Sequence, residues 1–169
     1  MQIPPRASDV PVAFAEFLLL SVWFGSILFF SFGVAPSAFA ILPSHHLAGL
    51  MVTSALSKVE IMGLTIGPVL VILRIATWRS HSGGALWQNL NVVLLLVMTA
   101  SSAVSRFVIT PMMVTLRESM PDIIDQIPVT DPMRAEFDHL HHYSVALMSV
   151  TMFAGLLVIF LTVRSWVKR

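Results

Sequence analysis

The sequence predicts an all-α integral membrane protein: an up-down-up-down four-helix bundle with both termini in the cytoplasm (N-in/C-in). Three observations lead there. Hydrophobic residues make up 56% of the 169 positions and charged residues only 11%, a balance too apolar for a soluble domain of this size. Four runs approach the roughly 20 apolar residues that a spanning helix needs: Phe17 to Ala40, Ile61 to Trp78, Leu90 to Met112 and Tyr143 to Val163. Arg6, Arg74, Arg79, Arg164, Lys168 and Arg169 all fall on one side of such a bundle, which the positive-inside rule makes cytoplasmic.

Extended with their flanks, the helices cover approximately residues 12–42, 46–78, 86–118 and 133–167 of a single domain, with an acidic outer connection at about 119–132. Helix one begins after Pro11, a residue suited to a first helical turn. Its run is longer than the roughly 7–15 residues of a signal-peptide core and carries Glu16 at its mouth, so it is expected to stay in the mature chain. Gly83-Gly84 marks a tight turn between helices two and three, and Pro121, Pro128 and Pro132 punctuate the last connection. The side opposite the basic residues holds Arg117 and Arg134 among Glu118, Asp122, Asp125, Asp131, Glu136 and Asp138, an acidic segment that the positive-inside rule permits outside. No run alternates with period two, which excludes a barrel.

Lipid-embedded helices associate where small residues let backbones approach, so four stripes are candidate contacts. They are Ser21, Gly25, Gly33 and Ser37 in helix one, Gly63-x-x-x-Gly67 in helix two, Ala100 to Ala103 with Ser105 in helix three, and Ser144, Thr151 and Gly155 in helix four. Pro36 and Pro68 are expected to kink helices one and two. Trp78, Trp87 and Trp166 lie at segment ends where aromatic belts form, and Trp23 lies within helix one.

Net charge is +1 with no basic cluster, which argues against nucleic-acid binding. Cysteine is absent, so any metal must be held by His, Met or carboxylate. Two constellations could carry chemistry. Lys58, Glu60 and Arg106 form a polar intramembrane cluster, with Glu60 and Arg106 expected to meet near the outer leaflet. The pair reads equally as a buried ion pair that fixes register and as part of an ion or substrate path. The second constellation gathers His45, His46, Asp138, His139, His141 and His142 on the outer side, candidate ligands for a metal or haem iron. Asp138/His142 and His139/His142 have the helical spacing to present two ligands on one face, and Met51, Met112, Met113, Met120 and Met133 could add soft ligands for Cu(I). The plainer reading is hydrogen-bonded caps and core-filling methionines. Nucleophilic triads and phosphate loops leave no signature.

Val22-Trp23-Phe24-Gly25-Ser26 leading to Phe32-Gly33-Val34-Ala35-Pro36, then Arg106-Phe107-Val108-Ile109-Thr110-Pro111, then Phe137 to Ser144 resemble the transmembrane protein 205-like family. These are small four-helix membrane proteins long classed as a domain of unknown function. The resemblance implies the same architecture, and the association of the human member with platinum-drug resistance implies export or traffic of metal-like cargo. It maps the family pattern onto Arg106, Pro111, His141 and Ser144, whereas His139, His142, His45 and His46 match no motif of the family. More remotely, the arrangement is similar to copper-resistance D-type proteins and to haem-dependent porphyrinogen oxidases, though no mid-helix axial histidine matches.

Three functions are consistent with the residues. The first is a non-enzymatic protein, in a bacterial inner membrane, whose outer half handles a small cation or metal complex. The second is an accessory subunit of a larger electron-transfer complex, with a membrane protein partner or a second copy as neighbour. The third is a haem or tetrapyrrole oxidoreductase.

Overall fold

The structure, a computed structural model, describes residues 9–77, 85–120, 126–128 and 130–167. Arg6, Trp78, Arg79, Gly83-Gly84, Pro121, Asp122, Asp125, Lys168, Arg169 and the side chain of Trp166 lie outside the described residues.

Four spans, Val10–Ile41, His45–Ala76, Ala85–Ser119 and Pro132–Arg164, are long and apolar enough to cross a bilayer, and no strand occurs among the described residues. The first span is built from α1 (Asp9–Phe29), a π-turn (Phe30–Val34) and α2 (Ala35–Ile41). α3 (His45–Ala76) is the second. The third joins α4 (Ala85–Val104), a second π-turn (Ser105–Ile109) and α5 (Thr110–Ser119), and α6 (Pro132–Val167) forms the fourth. Neighbours in sequence run antiparallel. One end of the bundle therefore carries Arg74 and Arg164, and the other carries His45, His46 and residues 138–142.

Each π-turn ends two residues before a proline, Pro36 in one span and Pro111 in the other. A proline ring collides with the carbonyl four residues earlier, and a widened turn relieves that collision without ending the helix. Pro68 behaves otherwise: α3 continues through it as α-helix without a π-turn, with the ring on an exposed face. Ser44 starts α3 by accepting a hydrogen bond from the Leu47 N–H at 3.2 Å. Ser44→Ala is expected to cost about 1 kcal/mol and to fray the turn holding His45 and His46, measurable as faster amide exchange there.

The packing order is a ring, α1 on α3, α3 on α4, α4 on α6 and α6 back on α1. Its core joins Leu20, Trp23, Ile27, Leu70, Leu95, Met98, Ala154 and Val158. Helix one enters this core through Leu20, Trp23 and Ile27, and not through its stripe of Ser21, Gly25, Gly33 and Ser37. A side chain at Gly25 would meet nothing within 4 Å, and Ser21 and Ser37 are exposed. Gly63 and Gly67 do mark a contact, lying against Ser102 and Thr99 of the third span. Phe29, Phe32, Phe107, Phe153 and Phe160 point outward and stay exposed, as lipid-facing side chains must.

Polar residues inside the bundle are sorted by depth. Near the basic end Arg74 pairs with Glu16 at 3.5 Å, and Asn91, 1% exposed, donates to Thr162 Oγ1 at 3.3 Å. Arg164 covers the Trp87 ring at 4.2 Å. At the opposite end the ring opens: α2 packs on α3 and α5 on α6, while α2 and α6 draw apart. Ile127, from the last connection, buries itself against Met120 and Phe137 and closes the top of the third and fourth spans.

Candidate functional site

Where α2 and α6 separate, they leave a cleft of about 1130 Å³ reaching from the histidine end of the bundle towards its middle. Its floor is apolar, with Phe30, Leu56, Met148 and Met152. Its upper wall is polar, with His45, His46, Arg117, Arg134, Asp138 and His141. Phe32, Pro36 and Phe39 on one side and Val145 on the other are exposed, so the cleft is open sideways as well as at its mouth.

Arg117 is the cation best placed to meet a ligand. Its guanidinium lies 5.2 Å above the Phe137 ring centroid, and no described carboxylate comes within ion-pair distance. Gly49 makes room for it, since a Cβ there would sit 3.2 Å from Arg117 Nη2. Arg134 is committed to structure through a 2.5 Å hydrogen bond from Nη1 to the Ile127 carbonyl. That bond ties the connection to the first turns of α6.

The histidines divide between two surroundings. His45, His46 and His141 line the cleft with Asp138, while His139 and His142 are not among its lining residues. The His142 Nδ1–H donates to the Asp138 carbonyl at 2.6 Å, so this pair meets through the backbone and not through the carboxylate. The His45 ring lies 6.0 Å from Phe39 and the His141 ring 6.4 Å from His142, centroid to centroid. Among the described residues no three His, Asp or Glu side chains converge closely enough to hold a metal ion. Ser144 lines the cleft beside His141, and Pro111 is exposed after its π-turn.

Glu60 lies deeper than the apolar run beginning at Ile61 implies. The Ser- and Thr-containing stretch before it is helical too, which makes Glu60 the sixteenth of the 32 residues of α3, counted from His45. Glu60 is 3% exposed and meets hydroxyls of the third span instead of the Arg106 guanidinium. Ser105 Oγ donates to Glu60 Oε1 at 2.5 Å and Thr110 Oγ1 donates to the same oxygen at 3.1 Å.

The π-turn explains this pairing. In an α-helix residues five apart point about 140° from each other. The wider π-turn, with its i→i+5 bonding, reduces the angle to about 50° and turns both hydroxyls towards one carboxyl oxygen. Arg106, in the same turn, is half-buried on another side and forms no described ion pair with Glu60. Lys58 is exposed and reaches back one turn to the Ser54 carbonyl at 3.3 Å and hydroxyl at 3.2 Å, which carries its charge towards the histidine end. Of the three charged residues of the intramembrane cluster, only Glu60 is enclosed in the bundle.

From the sequence, Trp23, Ser105, Thr110 and Gly49 have no role at the site, and Arg117 is only one charge of the acidic outer side. The signal for Ser105 and Thr110 is their five-residue spacing ahead of Pro111, which acquires meaning only once the turn is known to be π.

No curated protein and no solved structure matches the chain. Residues 18–122, covering most of the first span and all of the second and third, match a family described as Domain of unknown function (DUF4149). A match over that much of a 169-residue four-helix chain places the protein in this family of domains of unknown function.

Proposed function

We propose that this is a non-enzymatic binding protein of the membrane, which takes an amphipathic anion into its cleft from the surrounding bilayer. The observation that carries this reading is Arg117, a cation in the polar wall with no described carboxylate to neutralise it. A carboxylate or phosphate head would be met there by a charge-assisted hydrogen bond, while the apolar floor accepts hydrocarbon. The sideways opening gives such a molecule a route that never leaves lipid.

The sequence alone favours a small cation or metal complex as cargo. The wall shifts that preference, because Arg117 repels a bare cation whereas an anionic head, or a metal complex bearing carboxylates, suits it. With both termini cytoplasmic, as the basic residues suggest, the cleft opens on the outer side of a bacterial inner membrane. Cargo handling of this kind is in keeping with the resemblance to the transmembrane protein 205-like family.

Native mass spectrometry with phosphatidylglycerol and with phosphatidylcholine of the same chains tests the proposal. The wild type should retain phosphatidylglycerol preferentially. Arg117→Gln should weaken that retention about tenfold or more, the loss expected of a hydrogen bond to a charged group. Equal retention of the two lipids by the wild type would refute the reading.

A tetrapyrrole is the second reading, favoured by the presence of His45, His46 and His141 in the same cleft. Added haem should then give a bound-haem absorption band that His141→Ala removes, with stoichiometric iron on elemental analysis. A protein that stays colourless rejects it. An accessory role in an electron-transfer complex predicts instead a stoichiometric partner in mild detergent.

A further inference from the structure

At the centre of the bundle, below the cleft, Trp23 and Glu60 face a separate small cavity walled also by Ser101, Ser102, Ser105 and Thr151. Its volume of about 20 Å³ exceeds the roughly 10–15 Å³ that one water requires. Trp23 is fully buried and Glu60 is 3% exposed. The indole Nε1 and the carboxyl Oε2 are both enclosed without a hydrogen-bond partner.

Two such groups in the interior of a membrane protein are costly unless something small satisfies both. An indole N–H can only donate, so it disfavours a metal cation beside it and favours an acceptor. Water meets both needs, accepting from Trp23 and donating to Glu60. Ser102 and Thr151 spend their own protons on the carbonyls of Met98 (3.2 Å) and Leu147 (2.9 Å), which leaves their oxygens free to accept the second proton of that water.

The other carboxyl oxygen leads outward. Glu60 Oε1 is bonded to the Thr110 hydroxyl, and Thr110 also lines the large cleft. One hydroxyl therefore stands between the buried carboxyl and the cleft. The charged groups around Glu60 are few. Arg106 of the third span lies close enough to act on it through space, and Lys58 on its own helix is directed towards Ser54. The first and fourth spans present only Trp23, Ile27, Leu147, Met148 and Thr151 to the cavity.

We propose that Trp23 and Glu60 form a hydrated proton-binding site, in which one internal water bridges the indole N–H to Oε2 and Glu60 exchanges its proton with the cleft through Thr110. On uptake, a proton from cleft water joins Thr110 Oγ1 while the threonine's own proton passes to Glu60 Oε1. Release reverses both transfers and restores the carboxylate. The site does not depend on which molecule occupies the cleft.

Infrared difference spectra of the protein in lipid, recorded as pH is lowered, test this directly. The wild type should gain a carboxylic-acid carbonyl band that Glu60→Gln loses. Trp23→Phe keeps an aromatic ring and Glu60 while removing the indole donor, so it should shift that band without abolishing it. Thr110→Val should slow the deuterium-induced shift of the band after transfer to heavy water. The proposal is overturned by identical spectra for wild type and Glu60→Gln, by an unmoved band in Trp23→Phe, or by unchanged exchange in Thr110→Val. The last two variants retain Glu60 and decide the matter even where Glu60→Gln does not fold.

Discussion

Arg74→Leu should destabilise the bundle by about 3–5 kcal/mol, the cost of leaving a buried charge without its partner. The Arg74 guanidinium stands 3.5 Å from Glu16, with the two side chains 7% and 9% exposed. Thr77 Oγ1 adds a second bond to Glu16 at 3.1 Å. Leucine fills much of the arginine stem's volume, so the lost stability reports on the loss of the arginine's charge beside Glu16 more than on a void. The control is the double variant Arg74→Leu with Glu16→Gln, which removes both charges and should recover most of the loss. Unfolding in detergent, followed by circular dichroism, compares the three proteins. A single variant as stable as wild type, or a double variant no better than the single, would show that the pair contributes little.

That pair also shows where the sequence could be read and where it could not. Arg74 is legible as a charge at the end of an apolar run, and Glu16 as an acid at the mouth of another. Their contact is not, because 58 residues separate them and many helix-end charges simply meet water. The spans themselves were the easiest feature, since length and apolarity are local properties and bilayer thickness sets the threshold. Depth was harder. The Thr53, Ser54, Ser57 and Lys58 stretch lowers local apolarity without interrupting the helix, which concealed that Glu60 lies midway along α3.

Arg106 lies close enough to act on Glu60 through space, but hydroxyls hold the carboxyl. Similar depth along antiparallel spans brings the two residues near each other, and the π-turn at Ser105–Ile109 decides that Ser105 and Thr110 reach the carboxyl. The histidines divide because sequence spacing specifies which residues can share a helix face, whereas the cleft is formed by α2 parting from α6. Only His45, His46 and His141 of the five candidate histidines line it.

Small residues give the sharpest test of how such a bundle is held together, because four of the glycines make opposite predictions from the same chemistry. Gly25→Ala should be neutral or stabilising, by up to about 1 kcal/mol, since alanine is the better helix former and nothing lies within 4 Å of its Cβ. Gly63→Ala should destabilise, because the new Cβ would lie 2.9 Å from Ser102 Cβ and 3.1 Å from Trp23 Cζ2. Gly67→Ala drives its Cβ into the Thr99 hydroxyl and should do likewise, while Gly155→Ala would press 2.7 Å from the Phe24 ring and 3.1 Å from Met98 Cε. Overpacking of this kind costs about 1–3 kcal/mol per site. Gly63→Leu with Gly67→Leu should therefore separate α3 from α4 and abolish the folded bundle. The discriminating measurement is a rescue: Ser102→Gly opens space opposite position 63, so Gly63→Ala with Ser102→Gly should regain most of the stability lost by Gly63→Ala alone. The same Ser102→Gly change should do nothing for Gly67→Ala, whose clash is with Thr99. Rescue of both variants, or of neither, would mean that the second and third spans do not meet through these two glycines.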